Sequence, residues 1–322
     1  VTVGLKGEQG TNHEVRPVRG RFAPSPTGAL HLGHAQSLLL GWLQVRALGG
    51  RFVLRIEDID RARNQRGATE AILRDMEWLG FDWDEGPGVG GPAGSYLQSE
   101  RGELYERCLE RLAGRAYPCS CSRKDVREAA GAPHGGELAY PGTCRDGPGR
   151  AGALTSLRLR VPEGQVCWDD LYLGPQSEDP STICGDFIIR SKDGSHVYQL
   201  ACVADDIAMG ITHVLRGEDL HSSTSRQILL YRWLEAEVPL FAHTPLRRDE
   251  GGERLAKRRG SPSLGELRAA GEDPQSLVAA LAADLGIAER LGRARPEQLI
   301  EPFTASFPAL LRAPAPLAIA PH

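Results

Sequence analysis

Long hydrophobic runs are missing from this chain: the longest, residues 37–40 and 277–285, are short or interrupted by polar side chains. A membrane-spanning helix needs roughly 20 apolar residues in succession, so a membrane partner is excluded and a cytoplasmic protein is expected. The first 20 residues mix Gly, Glu, Gln, Asn and His and lack the apolar stretch of a secretory leader; residues 1–18 read as a flexible extension. The seven cysteines are an odd number, thinly spread, which excludes a disulfide framework. There is no surplus of positive charge either. Lys and Arg number 38 against 42 Asp and Glu, a net charge of −4, so no overall field draws the molecule onto nucleic acid, although a local basic face remains open. Lysine itself is scarce: only Lys6, Lys124, Lys192 and Lys257 break the preference for arginine. No internal repeat is present.

What is present is the composition of a globular protein, 322 residues with 41% hydrophobic and 25% charged, enough for a sizeable core. From Arg19 onward strand-like and helix-like blocks alternate, the pattern of a parallel sheet with crossover helices. Residues 19–23 read as a strand ending in a Pro/Gly loop. A helix follows, with Leu38, Leu39, Trp42, Leu43 and Val45 on its apolar face, stopped by Gly49-Gly50. A strand at 51–57 and a helix at 68–79 complete a βαβ unit, and another helix is expected at 103–115. Composition then shifts to Cys, Gly and Pro, which reads as an inserted small domain over 117–185 with strand candidates at 156–161 and 166–171. Strands are expected again at 186–190, 196–200, 213–216 and 241–246, with helices at 222–234, 264–270 and 275–285. The fold class is therefore an α/β, Rossmann-like parallel-sheet nucleotide-binding domain in two halves, 19–116 and 186–262. A short helical segment, 263–312, and a disordered tail, 313–322, complete it.

Three groups of residues carry chemistry. His31-Leu32-Gly33-His34 places two histidines three apart at a helix start, where backbone N–H groups favour phosphate and imidazoles can donate to a transferring phosphoryl group. Gly33, lacking a Cβ, would let an adenine ring lie against the backbone. The bland alternative is a turn with two surface histidines. Late in the chain Glu253-Arg254-Leu255-Ala256-Lys257-Arg258-Arg259 holds four basic residues in six, either a solvated face or a clamp for a triphosphate. A lysine where arginine is the habit suggests that Lys257 supplies a compact point charge. Cys119, Cys121 and Cys144 offer three of the four ligands of a tetrahedral zinc site, against the alternative of three unlinked thiols. Cys108, Cys167, Cys184 and Cys202 read as buried packing residues.

The HLGH block after the first strand and the basic loop after the last resemble the HIGH and KMSKS signatures of class I aminoacyl-tRNA synthetases. In order, RFAPSPTGALHLGHAQS, RFVLRIEDIDRAR, YQLACVADDIAMGITHVLRGEDL and RLAKR are similar to the glutamyl-tRNA synthetase family across residues 19–262. The resemblance implies that ATP, with Mg²⁺, is held by His31, Gly33, His34, Arg254, Leu255, Ala256, Lys257 and Arg258, with His31, His34 and Lys257 catalytic. It implies that L-glutamate is held by Arg21, Phe22, Ala23, Pro24, Ser25, Glu57, Tyr198 and Arg216. The arginines would take carboxylates, Glu57 the ammonium, and Ser25 and Tyr198 would orient them; which arginine takes the side-chain carboxylate stays open. Without the resemblance, Glu57 reads as a salt bridge to Arg55 or Arg61, and Arg216 as a pair with Glu218.

Zinc-binding members of that family carry Cys-x-Cys followed by Tyr-x3-Cys. The resemblance thus implies one structural Zn²⁺ per chain on Cys119, Cys121, Tyr140 and Cys144, with His134 and Asp146 as alternative fourth ligands. Two departures stand in the basic motif, Arg254 for Lys and Ala256 for Ser. Only 60 residues follow position 262, where a glutamyl-tRNA synthetase carries a helical anticodon-binding region. In this the chain resembles the paralogous glutamyl-queuosine tRNA(Asp) synthetases, which implies transfer of glutamate from glutamyl-adenylate to the queuosine base of tRNA(Asp), by a monomer. The alternatives are a truncated glutamyl-tRNA synthetase charging a tRNA 3′ end and a non-catalytic tRNA-binding module. Intact His31, His34, Glu57, Arg216 and Lys257 count against the last.

Overall fold

The computed structural model describes residues 16–129, 139–147, 149–150, 152–245, 262–289 and 291–314. The expectations for residues 1–15, His134, the basic loop within 246–261 and residues 315–322 lie outside the described residues.

Strand β1 (Arg19–Phe22) runs parallel to β2 (Arg51–Leu54), in register from Arg19↔Arg51 to Phe22↔Leu54, and helix α1 (Leu32–Ala47) crosses between them. The sequence predicts one apolar face on α1, yet from Ala35 to Val45 every residue but Ser37 is buried. A helix apolar on all sides needs cover on all sides. Then come α2 (Ala68–Trp78), α3 (Gly102–Leu112), β3 (Ala116–Cys119), α4 (Arg123–Ala129) and β4 (Ser156–Leu159). The hairpin β5 (Val166–Asp170) and β6 (Gly174–Glu178) precedes α5 (Pro180–Ile183), β7 (Ile188–Arg190), α6 (Tyr198–Ala208) and β8 (His213–Gly217). The chain continues through α7 (Thr224–Trp233), β9 (Leu240–Thr244), α8 (Leu264–Ala269), α9 (Pro274–Asp284) and α10 (Ile300–Ser306).

The main sheet has the order β2-β1-β8-β9-β5-β6, parallel except for β6, and β3-β4-β7 form a small antiparallel sheet. Alternate strand residues feed two cores, as the two-residue strand period requires. Phe52, Leu54, Leu215 and Ala242 join α1, α2, α9 and α10 on one face, whereas Val53, Val214 and Phe241 join α3, α6 and α7 on the other. The C-terminal helices α9 and α10 thereby supply the outer cover of α1. No described helix is long and apolar enough to cross a membrane.

Three expectations are corrected. Residues 196–200 are not a strand: Tyr198 opens α6, whose buried Leu200, Ala201, Val203 and Ala204 repeat at helical spacing. A five-residue window is too short to reveal that period. The strands expected inside 117–185 divide between the two sheets. β5 pairs with β9 in the main sheet through Asp170↔Phe241, while β7, beyond residue 185, pairs with β4 in the small one. Cys167 is exposed on β5, its thiol 3.4 Å from the Ser177 hydroxyl, because it faces outward on the edge hairpin.

From β1 the chain passes through α1 to β2 on one side, and from β8 through α7 to β9 on the other. The reversal falls between β1 and β8, neighbours in the sheet. In such sheets the crevice at the carboxyl ends of the two strands is the ligand site, and Arg21 and Arg216 stand there.

Candidate active site

Arg21, near the end of β1, is 6% exposed. Its Nη1 donates to the Leu215 carbonyl at 3.2 Å, and its Nε lies 3.6 Å from Asp206 Oδ1. Burial is the largest influence and opposes the charge, but Asp206, Cys202 and Glu57 together keep the guanidinium above its ordinary pKa. Asp206, on α6, also accepts from Arg55 Nη1 at 2.6 Å and from the Tyr231 hydroxyl at 3.0 Å. Arg55 in turn donates from Nη2 to Glu57 Oε1 at 3.0 Å.

Beyond β2 the backbone runs beside the Pro24–Pro26 turn, Glu57 N–H donating to the Pro24 carbonyl, which fixes Glu57 at the crevice. Burial raises the Glu57 pKa, and Arg55 and Arg21 only partly offset it. The salt-bridge reading of Glu57 is therefore realised with Arg55, while Arg61 is exposed. Tyr198, the first residue of α6, has its phenol pushed up by burial and then by Cys202 and Glu57, with Arg216 and Arg21 pulling it down. Tyr198 thus lies close enough to feel the charges of Glu57, Arg216 and Arg21, and Glu57 that of Arg21. Phe22, Ala23 and Pro24 continue from β1 along the crevice, and Ser25 is exposed on the turn.

Arg216 is 5% exposed and is held only by neutral groups. Its Nε donates to His243 Nε2 at 3.0 Å, Nη1 to Gln227 Oε1 at 2.7 Å and Nη2 to Thr224 Oγ1 at 2.9 Å. The expected pair with Glu218 does not form; among the described residues no carboxylate lies within ion-pair distance of Arg216. A guanidinium has five N–H donors, so one on each terminal nitrogen remains, the number a carboxylate's two oxygens accept.

His31 is the N-cap of α1, and its backbone N–H donates to His34 Nδ1 at 3.1 Å. His34 stays open to solvent at the helix start, yet the surrounding protein and then His31 lower its pKa. A neutral imidazole there can donate to phosphate without a standing charge. Gly33 is exposed, and the space a Cβ would fill is open. Ser263 bridges to His31, and Leu264 N–H donates to the Leu30 carbonyl at 2.8 Å. The residues just after position 261 therefore return to the HLGH turn.

Beside the small sheet, at the end of β3, the thiols of Cys119, Cys121 and Cys144 lie within 4.8 Å of one another, positioned to hold a metal ion. The Tyr140 hydroxyl sits 3.4 Å from Cys119 Sγ and 3.6 Å from Cys121 Sγ, and accepts from the Cys144 N–H at 2.9 Å. Asp146 is exposed and outside this group. Burial opposes ionisation of Cys144, but the Gly149 amide leads the hydrogen bonds that bring its pKa down to about 6. Arg158 donates to Cys119 Sγ at 3.3 Å and stacks 3.8 Å from the Tyr140 ring centre, a cation beside a donor set that would become anionic on binding a metal.

Residues 17–293 match the family model for class I tRNA synthetases (E and Q), catalytic domain. The chain belongs to that family. This synthetase is a ligase, 52% identical over 296 residues to a glutamyl-Q tRNA(Asp) synthetase of Symbiobacterium thermophilum, covering 88% of this chain and 91% of the relative. It is 46% identical to a glutamate–tRNA ligase of Anaeromyxobacter dehalogenans, covering 81% of this chain but 56% of that one. The crystal structure of a glutamate–tRNA synthetase from Elizabethkingia anophelis superposes with a TM-score of 0.77 at 29% identity, over 88% of this chain and 65% of that one.

The residues that build the synthetase's crevice from beneath, Arg55, Asp205, Asp206, Thr224, Gln227 and His243, were not singled out by sequence as site residues. Arg55 and Asp206 are 151 residues apart and Asp170 and His243 are 73 apart, pairs that no local spacing reports, whereas Thr224 and Gln227 meet Arg216 within 11 residues but across a strand-to-helix turn that no motif marks. The one usable signal was composition, since Asp205-Asp206 sits within an otherwise apolar helix.

Proposed function

We propose that this synthetase activates L-glutamate with ATP and transfers it to the queuosine base in the anticodon of tRNA(Asp). The observation that carries the amino-acid assignment is Arg216, a buried cation with unused donors and no acidic partner among the described residues, beside Arg21 and Glu57. Glutamate brings two carboxylates for the arginines and an ammonium for Glu57, with Ser25 and Tyr198 orienting them. In activation, an oxygen of the α-carboxylate attacks the α-phosphorus of ATP and pyrophosphate leaves. His31, His34 and Lys257 stabilise the charge on the transferring phosphoryl group, with Gly33 and residues 254–258 contributing to nucleotide binding; Mg²⁺ arriving with ATP would share that charge. A queuosine hydroxyl then attacks the carbonyl carbon, loses its proton, and AMP departs. The acceptor assignment rests on likeness to the glutamyl-Q tRNA(Asp) synthetase, matched over nearly its full length.

Zn²⁺ fits Cys119, Cys121, Cys144 and the Tyr140 phenol, soft thiolates and one oxygen in a buried cluster. Filled by four protein ligands, it would tie the end of β3 to the 140–144 turn and take no part in catalysis.

Two measurements test the reading. Glutamate-dependent ATP–pyrophosphate exchange should proceed without tRNA, fail with aspartate or glutamine, and drop roughly 100-fold or more in Lys257→Ala. Labelled glutamate incubated with tRNA(Asp) and then nuclease should appear on the anticodon nucleotide, and unmodified transcript should accept none. Label on the terminal adenosine would replace this acceptor with the 3′ end, as in the glutamate–tRNA ligases.

A further inference from the structure

Behind Arg216 lies a buried chain that the chemistry above does not use. His243, on β9, is 0% exposed and T-stacked on His221. Its Nδ1 is 2.5 Å from Asp170 Oδ2 on β5, and its Nε2 is 3.0 Å from Arg216 Nε and 3.1 Å from Thr224 Oγ1. An arginine Nε–H can only donate. His243 Nε2 must therefore be a lone pair, and the ring's single proton must sit on Nδ1, donated to Asp170. Thr224 Oγ1 accepts from Arg216 Nη2 at 2.9 Å and lies 3.1 Å from the same Nε2, within the same buried set. The other oxygen of Asp170 is fixed as well, because it accepts the backbone N–H groups of Tyr172 and Leu173 at 3.0 Å and of His243 at 3.1 Å.

We infer that Asp170 and His243 form a positioning pair, in which the carboxylate locks the Nδ1–H tautomer so that Nε2 aims Arg216 at the substrate carboxylate. Neither residue touches substrate; both act through Arg216. The inference rests on the reading of Arg216 as a carboxylate-binding arginine. The charged and titratable groups facing His243 are Asp170 from β5, Arg216 from β8, and His221 from the turn after β8, itself paired with Glu178 at 3.3 Å. A proton on Nε2 would set two donors head to head at 3.0 Å, so Arg216 itself opposes the other tautomer.

The hydrogen bonds make Asp170→Asn a sharp test. Three backbone N–H groups require the oxygen of the substituted amide to take the Oδ1 place, which turns its NH₂ toward His243 Nδ1. The histidine must then accept there and carry its proton on Nε2, against Arg216, an inversion of tautomer with nearly unchanged shape. In exchange assays the KM for L-glutamate should rise roughly tenfold or more, the cost of one misaligned hydrogen bond to a charged group, while the KM for ATP stays within about twofold. Nitrogen-15 spectra of histidine-labelled protein should show His243 as the Nδ1–H tautomer in wild type and Nε2–H in Asp170→Asn. The wild-type spectrum decides even if the variant does not fold: an Nε2–H His243 overturns the inference. Arg216→Gln in the same assay separates the two levels. A raised glutamate KM in Arg216→Gln with none in Asp170→Asn rejects the positioning pair alone, and no change in either rejects the substrate reading of Arg216.

Discussion

Arg21 and Arg216 occupy the carboxyl ends of neighbouring strands and are almost equally buried, yet their surroundings are opposite. Arg21 belongs to an ionic network in which Asp206 sits between it and Arg55, and Arg55 reaches Glu57 and, at 3.8 Å, Asp205. Arg216 meets a histidine, an amide and a hydroxyl. A buried charge without a counter-charge is costly, so it persists where hydrogen bonds hold its geometry and a ligand can supply the missing anion. Arg21 and Arg55 thus reach the crevice already paired with acids, whereas Arg216, on the function proposed above, meets its anion in the substrate. Both are positioned by acids on distant elements, but in one case the acid touches the cation and in the other a histidine stands between.

The largest effect should come from the acid-paired side. Arg55→Ala leaves Asp206, Asp205 and Glu57 buried without their shared partner, and breaking a buried pair from one side costs about 3–5 kcal/mol. Chemical denaturation should show that loss directly. Next in size, Arg216→Gln should raise the KM for L-glutamate by roughly 100-fold, the scale of losing two charge-assisted hydrogen bonds, with little change in melting temperature. No buried acid is orphaned by it, and the new amide can still meet Gln227 and Thr224. If the two variants lost comparable stability, the division between structural and substrate-reserved cations would fail. Smaller for catalysis is Cys144→Ser, which should abolish metal binding at the proposed zinc site and loosen the 140–144 turn while leaving exchange largely intact. Metal analysis of protein purified without chelator checks it, and a metal-free wild type would count against the site.

What could be read from sequence follows the range of each signal. The HLGH turn was legible because its chemistry lies within four residues, and the cysteine cluster because three thiols mark one insertion. The helical spacing of α1 was visible but its full burial was not, since that depends on α9 and α10, which arrive only near the C-terminal end. Composition groups the β5–β6 hairpin with the insertion, although pairing with β9 places it in the main sheet, and only that pairing brings Asp170 to His243. From sequence, salt bridge and substrate contact are alternatives for Glu57. The structure gives it the Arg55 bridge and places it beside Arg21 and Tyr198 at once, a combination that no spacing rule expresses.

The smallest predicted effect asks which of those two roles stability reports. Burial is the leading influence on Glu57 and raises its pKa in the folded protein despite Arg55 and Arg21. A carboxyl group whose folded pKa lies above its unfolded value, about 4.3, binds its proton more tightly in the folded state. Its ionisation therefore lowers stability as pH rises through that window, and the loss persists at neutral pH. Glu57→Gln removes the ionisation, while its amide oxygen can still accept from Arg55 Nη2. At neutral pH the variant should melt at the same temperature as wild type or higher, and the difference should close as pH falls below the unfolded value, where both side chains are uncharged. Glutamate binding should move the other way, weakening roughly tenfold or more as the ammonium loses its anion. Melting curves from about pH 4 to 8, spanning the carboxylate range, beside exchange kinetics read both. A variant less stable than wild type at neutral pH would make Glu57 a structural partner of Arg55 first, and the contrast between acid-paired and substrate side would have to be redrawn with Glu57 among the structural residues.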